Sequence, residues 1–359
     1  MTAATKILFT PGPVMMDPEI IKTAAVQIPY SRTVDFSQLV LRAEAAMISL
    51  LNAPKGSRVV FITGSGTAAM EAAVLNFIHP GQSVAVVDGG TFGHRFVEIC
   101  ERHQVPMQRL QVDRDPLTDG RVLGKARPPV AALLINGHET SIGHLYDLAA
   151  TAEFTRSHDA LHIVDAIGMF GTDTIDMTES NIDVLIVSSN TGLALAPGMS
   201  ILVMSPGALS RLVETPRSYY LDVRAMLTDG LRGQTPFTPA IGIFLQLDVR
   251  LSKLSRPALD AGCDHARRMA RYFRENIAGL PLRLYSRHLP NALTPLEVSG
   301  GAMTAREIVD RLDRDYGLLV APNGGALADK VFRVSHMGNL EMSDLDMLLS
   351  ALRKTLSST

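Results

Sequence analysis

The middle of the chain alternates short apolar runs with longer segments whose apolar residues recur at helical spacing. Apolar runs of this kind predict strands buried on both faces, and the segments between them predict amphipathic helices. The predicted strands are 59–63, 83–88, 106–112, 130–136, 162–166, 184–188 and 199–204. The predicted helices between them are 67–77, 93–103 and 147–157. This order predicts an α/β fold with a mostly parallel central sheet covered by helices.

The pattern changes after the last of these strands. Residues 239–280 have helical spacing throughout. The elements predicted after them are the strands 293–298, 318–321 and 332–335 and the helices 304–316 and 343–356. We therefore predict a large α/β domain, including the N-terminal segment, over residues 1–255 and a smaller α+β domain over residues 256–359.

The composition favours a folded protein with a small-molecule site. Of the 359 residues, 46% are hydrophobic and 19% are charged, which excludes a disordered chain. The formal net charge of -2 leaves no surplus of positive charge for nucleic acid or for an anionic membrane. We therefore expect a small-molecule partner and neither nucleic acid nor membrane.

Two features bear on the cellular compartment. Cys100 and Cys263 are too few for a disulfide framework and argue against a cysteine-based zinc site. The N-terminal apolar stretch 7–9 is too short for a signal peptide, and no apolar run approaches the roughly 18 residues of a membrane span. We predict a soluble, cytoplasmic protein without a metal site.

A glycine-containing segment between a predicted strand and a predicted helix resembles a phosphate-binding loop. It runs Gly-Ser-Gly-Thr-Ala-Ala over residues 64–69. Glycines let the backbone approach a ligand, N–H groups at a helix start attract an anion, and Ser65 and Thr67 add hydroxyl donors. The same residues fit the G-x-G-x-x-A dinucleotide fingerprint, with Asp88 near the position of a ribose-binding acid. An NAD-dependent dehydrogenase is therefore an alternative, although that fingerprint usually opens its domain and this loop begins at residue 64.

Eight segments, in order along almost the whole chain, resemble those of the class V aminotransferases. They are residues 9–13, 63–67, 89–95, 138–143, 164–166, 188–192, 234–239 and 332–338. These enzymes have fold type I and use pyridoxal 5′-phosphate (PLP), and among them the chain resembles the 2-aminoethylphosphonate–pyruvate and alanine/serine–glyoxylate transaminases. The resemblance implies a homodimer with shared active sites. It also implies amino transfer from a small amine or amino acid to pyruvate or glyoxylate.

The resemblance implies roles for individual residues as well. Ser65, Gly66 and Thr67 would bind the cofactor phosphate, and Phe92 would stack on the pyridine ring. Asp165 would pair with the ring nitrogen and keep it protonated, so that the ring acts as an electron sink. The other matched positions are Thr140 near the ring oxygen, Asn190 beside the cofactor, Thr238 reaching the phosphate from the partner subunit, and Arg333 binding the substrate α-carboxylate. Without the resemblance, Asp165 would be read as a helix cap and Arg333 as a surface ion pair.

One position departs from the family. Where the family has the lysine that forms the Schiff base with PLP, this chain has Thr191. A threonine hydroxyl forms no imine and is a poor base near neutral pH. The seven lysines all lie outside this segment, at Lys6, Lys22, Lys55, Lys125, Lys253, Lys330 and Lys354.

Three interpretations of Thr191 stay open. The first is a laboratory substitution of lysine that traps a PLP–substrate aldimine. The second is a natural protein that uses another base, His138, His94 or His336, or that works from the aminated cofactor PMP. The third is a non-catalytic relative that binds PLP or a PLP–amine adduct. In each case we predict that PLP binds without a covalent bond and that ordinary transamination is severely slowed.

Overall fold

The computed structural model describes residues 6–112, 122–300 and 303–357. Its strands are β1 (Ile7–Phe9), β2 (Arg58–Thr63), β3 (Val84–Asp88), β4 (Met107–Gln111), β5 (Ala132–Asn136), β6 (His138–Glu139), β7 (His144–Leu145), β8 (Leu161–Asp165), β9 (Val184–Ser188), β10 (Met199–Met204), β11 (Leu282–Leu284), β12 (Leu293–Val298), β13 (Leu318–Pro322) and β14 (Val331–Ser335). Its helices are α1 (Pro18–Thr23), α2 (Val34–Leu50), α3 (Gly66–Phe77), α4 (Thr91–Arg102), α5 (Leu148–Ser157), α6 (Pro206–Ser210), α7 (Val223–Gly230), α8 (Ile241–Lys253), α9 (Arg256–Asn276), α10 (Ala305–Tyr316) and α11 (Met342–Ser357).

The large sheet has seven strands in the order β2-β10-β9-β8-β5-β3-β4. The strands from β9 to β4 in this order are parallel to one another, and β10 is antiparallel to both β2 and β9. The prediction of a mostly parallel α/β sheet is confirmed. The reversal of β10 was not predicted, because a strand buried on both faces has the same apolar pattern in either direction. The carboxyl ends of β2, β3, β5, β8 and β9 consequently lie at one edge of the sheet.

Helices cover both faces of this sheet. Val164 of β8 belongs to the apolar cluster that includes α2 and α8, whereas its neighbour Ile163 belongs to the cluster that includes α3 and α4. Both side chains are fully buried. Burying an aliphatic side chain of this size stabilises a fold by about 1.5–3 kcal/mol. Burial on both faces explains why the strands are continuous apolar runs in the sequence.

The second sheet has the order β1-β13-β14-β12-β11, and α9, α10 and α11 pack on it. Its strand β1 pairs in parallel with β13, near the other end of the chain. Phe9 of β1 is fully buried in the same cluster as Phe273 and Phe332. This pairing places β1 in the second sheet, whereas we assigned the N-terminal segment to the large domain. The sequence did not predict β1, because a strand of three residues is too short to show a periodicity. The domain division near residue 255 stays a prediction.

The helical stretch predicted over residues 239–280 is two helices. α8 ends at Lys253 and α9 begins at Arg256. Ser255 caps α9 by accepting a hydrogen bond from the Ala258 amide, and a proline in the first turn has the φ that a helix start requires. The break therefore has a local cause in the sequence. In the described ranges, no helix is long and apolar enough to cross a bilayer.

Candidate active site

A cavity of about 250 Å³ lies at the carboxyl edge of the large sheet. Parallel strands bring residues that are distant in sequence together at such an edge. Eight of the ten predicted site residues line the cavity, namely Ser65, Gly66, Thr67, Phe92, Thr140, Asp165, Asn190 and Thr191. Its other walls include Pro11, Gly12, Met70, Arg95, Asn136, His138, Ile167, Gly168 and Ser188.

The wall that follows β2 has the geometry of an anion cradle. Ser65 precedes α3 in an extended conformation, and its side chain forms no cap hydrogen bond with the helix. The N–H groups of Gly66 and Thr67, in the first turn, have no partner within the helix, and the helix dipole favours a negative charge beside them. A side chain at Gly66 would collide with Ile167, because the ideal Cβ position lies 2.2 Å from Ile167 Cδ1. Glycine therefore lets the cradle form against Ile167.

Arg95 adds a positive charge to this wall and was not predicted as a site residue. Its Nη1 donates to Thr67 Oγ1 at 3.2 Å, and its guanidinium carbon lies 4.8 Å from the centroid of the Phe92 ring. Arg95 and Phe92 are three residues apart on α4 and share a face of that helix. This spacing of three residues from Phe92 is the feature of the sequence that could have predicted Arg95 as a site residue.

Asp165 ends β8, is buried and lines the cavity. Its Oδ2 accepts from Asn136 Nδ2 at 2.6 Å, and its Oδ1 accepts from the Ile167 amide at 2.9 Å. Burial raises the pKa of Asp165 to about 6, and the two hydrogen bonds oppose that rise. A buried carboxylate of this kind is stabilised by a cationic ligand atom. Asn136 was not predicted, although it ends the neighbouring β5 in register with Asp165.

Glu139 fixes the turn that carries Phe92. The residue before α4 is a glycine, which has no side chain to cap the helix. Glu139 is fully buried, and its Oε2 accepts from the amides of Phe92 and Gly93 at 3.2 and 2.8 Å. Its Oε1 accepts from Ser141 Oγ at 2.5 Å. Glu139 lies in one of the matched segments, but its capping role was not predicted, because the helix it caps lies in another segment.

Comparison with known proteins identifies the family. Residues 21–321 match the model of the family described as Aminotransferase class-V. The chain belongs to the class V aminotransferase family. A protein named soluble hydrogenase, small subunit, from Synechococcus sp. (strain PCC 6716) is 27% identical over 98% of this chain and 93% of its own length. An L-aspartate–glyoxylate aminotransferase from Paracoccus denitrificans (strain Pd 1222) is 26% identical over 93% of this chain and 86% of its own. The crystal structure of a subgroup IV aspartate aminotransferase from Thermus thermophilus superimposes with a TM-score of 0.89 at 28% identity, covering 98% of this chain and 99% of that one.

The cavity fits PLP, the cofactor of class V aminotransferases. The cradle at 65–67 suits a phosphate, Asp165 suits a protonated ring nitrogen, and Phe92 suits a ring face. Two buried polar atoms, Asn136 Oδ1 and His138 Nε2, belong to residues of this wall and have no hydrogen-bond partner. Orphaned atoms of this kind are expected where a polar ligand completes the wall.

Asp88, the residue that would bind ribose in the dehydrogenase alternative, already contacts two basic side chains. Its buried carboxylate forms an ion pair with Arg109 and lies 3.3 Å from His94 Nδ1. It does not line the cavity that holds the cradle. A carboxylate held in this way is not free to bind ribose hydroxyls. Together with the family assignment, this contact leaves the dehydrogenase alternative without support.

Thr191 lies in the loop after β9, where the class V resemblance implies the Schiff-base lysine. It is buried, and its Oγ1 lies 3.4 Å from Ser188 Oγ. The turn at Gly12 packs over it, because the ideal Cβ position of Gly12 is 3.1 Å from Thr191 Cγ2. Within the described part of the chain, no lysine lines this cavity. The wall therefore offers a hydroxyl where the class V resemblance implies an amine.

His138 is the one of the three candidate histidines that lines the cavity. Its Nδ1 lies 2.9 Å from the Gly168 carbonyl oxygen, so this nitrogen carries the proton and Nε2 is unprotonated. Burial lowers the pKa of His138 to about 4. His94 lies beside the Asp88 carboxylate and does not line the cavity. His336 lies outside this cavity, with its Nε2 2.8 Å from Thr294 Oγ1.

The structure does not place Thr238 and Arg333 with the other eight predicted site residues. Thr238 is exposed in the loop before α8 and does not line the cavity that holds the cradle. Arg333 directs its donors elsewhere, with Nη1 donating to the Thr140 carbonyl at 3.0 Å and Nη2 to the Pro322 carbonyl at 2.5 Å. Arg333 therefore contacts the site only through Thr140.

Proposed function

We propose that this protein binds PLP without a covalent bond, in a site built for amino transfer between a small amine or amino acid and pyruvate or glyoxylate. The observation that carries the proposal is one cavity that combines Asp165, the cradle at 65–67 and Phe92 with Thr191, for which the resemblance implies the lysine position. Because threonine forms no imine, the remaining contacts alone hold the cofactor.

The cavity residues have separate tasks in this proposal. The cradle binds the phosphate through backbone N–H groups and hydroxyls. Phe92 covers one face of the ring. Asp165 accepts a hydrogen bond from the ring nitrogen and, being buried, keeps that nitrogen cationic. When bound, PLP supplies an electron sink and carries the amino group between substrates.

With Thr191 in place of lysine, the residue that usually transfers the proton is absent. His138 Nε2 is an unprotonated nitrogen that belongs to the cavity wall, and it is our candidate to accept that proton. The low pKa of His138, about 4, makes it a weak base. We therefore expect slow turnover if His138 replaces the lysine. If Thr191 is an inactivating substitution, or if the protein only binds the cofactor, we expect no turnover.

The substrate class rests on the family and on one relative. The Paracoccus denitrificans relative is named for L-aspartate and glyoxylate, and we propose for this chain a 2-oxo acid acceptor of similar size. We propose that Arg333 binds the substrate carboxylate through its buried Nε, which has no partner, while both of its Nη atoms donate to carbonyl groups.

We propose that two copies share each active site. Large apolar side chains are exposed on two segments, where Tyr30 is 72% and Tyr219 is 87% exposed. Arg32 donates to Gln234 Oε1 at 2.9 Å and links the N-terminal segment to the loop that carries Thr238. Exposed apolar groups of this kind favour a protein partner. A second copy seated here would supply Thr238 to the other cradle.

We also propose that the protein works in the cytoplasm. Cys100 and Cys263 are buried free thiols. Burial raises the pKa of Cys100 to about 12 and that of Cys263 to about 11, so neither is a reactive thiolate at neutral pH. Unpaired, unreactive thiols are typical of a reducing compartment.

The test is a half-reaction with PLP-loaded protein. L-aspartate, L-alanine and 2-aminoethylphosphonate are added in turn, and conversion of bound PLP to PMP is followed in the protein as it is and in Thr191→Lys. Conversion by Thr191→Lys alone identifies Thr191 as inactivating and names the donor. Comparable conversion by both proteins supports a replacement base, and His138→Gln should then slow it at least about tenfold. PLP binding without conversion by either protein favours a binding protein, and no PLP binding contradicts the proposal.

A further inference from the structure

A second cavity, of about 230 Å³, lies on the other side of the Thr191 loop. Its walls are α8, α9, residues 171–172 and the turn after β14 at residues 336–339. It has no lining residue in common with the candidate active site. Thr191 lines the first cavity and Gly192 lines the second, so one loop separates them.

Arg250 of α8 lines this second cavity and has no salt-bridge partner among the described residues. Its Nε is buried and has no hydrogen-bond partner, and no carboxylate in the described residues forms an ion pair with it. Asp17 attracts it electrostatically without forming a salt bridge with it, and Asp17 Oδ1 accepts from the Glu19 amide at 2.8 Å at the start of α1. Burial lowers the pKa of Arg250, yet a guanidinium stays charged in a protein. A half-buried charge in this state is stabilised by an anion.

His336 also lines this cavity and has a ring nitrogen without a hydrogen-bond partner. Thr294 Oγ1 accepts from Arg274 Nε at 3.0 Å and lies 2.8 Å from His336 Nε2. The buried Thr294 hydroxyl can donate its own proton to His336 Nε2, which leaves Nδ1 as the protonated ring nitrogen. That Nδ1 is buried and has no acceptor. The sequence segment 332–338, which has no residue in the lining of the candidate active site, therefore contributes to this cavity.

We propose that the second cavity binds a small oxyanion, a carboxylate or a phosphate, through Arg250 and His336. The guanidinium offers paired N–H donors whose spacing matches such an anion, and His336 Nδ1 offers one more. Asn339 and His265 also line the cavity. An anion bound here would contact the loop that carries Thr191, because Gly192 and Ala194 of that loop form part of the cavity wall.

The test uses the protein in the presence of excess PLP, so that the cradle at 65–67 is filled and does not bind the probe. Acetate, malonate and inorganic phosphate are titrated by calorimetry at constant ionic strength. We expect saturable binding of at least one of them, weakened about tenfold or more in Arg250→Gln. The matched control is Arg267→Gln, which removes an exposed arginine of α9 that pairs with Asp264, and this variant should bind as the unchanged protein does.

Gly262→Leu fills part of the second cavity and keeps the Arg250 guanidinium. It therefore tests whether the cavity itself is needed for anion binding. The ideal Cβ of Gly262 lies 3.7 Å from its nearest neighbour, the Gly171 carbonyl oxygen, so a side chain at this lining position enters the cavity without a close contact at Cβ. We expect Gly262→Leu to fold and to lose binding, which decides the matter if Arg250→Gln does not fold. Binding of the carboxylates alone, or of phosphate alone, identifies which chemical class of anion the cavity prefers. No saturable binding to the unchanged protein, or equal binding by it and both cavity variants, overturns the proposal.

Discussion

At the scale of single residues, Thr191 offers no amine for a covalent bond, and we propose that the other residues of the cavity alone hold the cofactor. The cradle at 65–67, Phe92 and Asp165 line one space. The contacts that position Phe92 and Asp165 come from Glu139 and Asn136 and involve no lysine. Cofactor affinity in this protein should therefore depend more on these contacts than in a relative with a covalent bond.

Asp165→Asn should change the pH dependence of stability of the cofactor-free protein. Burial raises the pKa of Asp165 from its ordinary value of 3.8 to about 6. The folded state then binds this proton more tightly than the unfolded chain, so the free energy of unfolding falls as the pH rises from about 4 to about 6. A shift of this size corresponds to about 3 kcal/mol, and the stability of Asp165→Asn relative to the unchanged protein should rise by that amount. Urea unfolding across this range measures the difference, and a difference that stays constant with pH would refute the assignment.

At the scale of elements, α4 depends on a cap from another segment. Glu139→Gln would place an amide NH₂ group or a weaker acceptor against the amides of Phe92 and Gly93. We expect a loss of about 2–3 kcal/mol in the free energy of unfolding and weaker PLP binding, because the turn that carries Phe92 loosens. Glu153→Gln, on the exposed face of α5, should stay within about 0.5 kcal/mol in the same urea titration. Equal stability of the two variants would contradict the capping role.

Elements of the large sheet were predictable, whereas contacts between distant segments were not. Continuous apolar runs predicted the strands of this sheet, and strand ends such as Asp165 predicted where polar residues meet. The capping role of Glu139 was missed because the Phe92 amide, which it binds, lies 47 residues earlier in the chain. Arg333 was expected beside the substrate, but its donors are directed to two carbonyl groups that only the folded chain brings near.

At the scale of the whole molecule, the proposed dimer links the apolar surface to the active site. Tyr219→Glu puts a charge on one of the two segments with exposed apolar side chains. We expect it to shift the protein toward monomer in sedimentation velocity and to weaken PLP binding, since Thr238 of the other copy would be lost from the cradle. Tyr316→Glu, at an exposed position of α10, is the matched control and should leave both measurements unchanged. An unchanged oligomeric state in Tyr219→Glu would exclude this surface as the interface.

The central claim is that PLP occupies this site without a covalent bond to the protein. The measurement that tests it most directly is borohydride reduction of the PLP-loaded protein, followed by mass spectrometry of the denatured chain and its peptides. We predict no PLP adduct on any of the seven lysines, and one adduct, at the introduced lysine, in Thr191→Lys. A borohydride-stable bond between PLP and any of those seven lysines would contradict the claim.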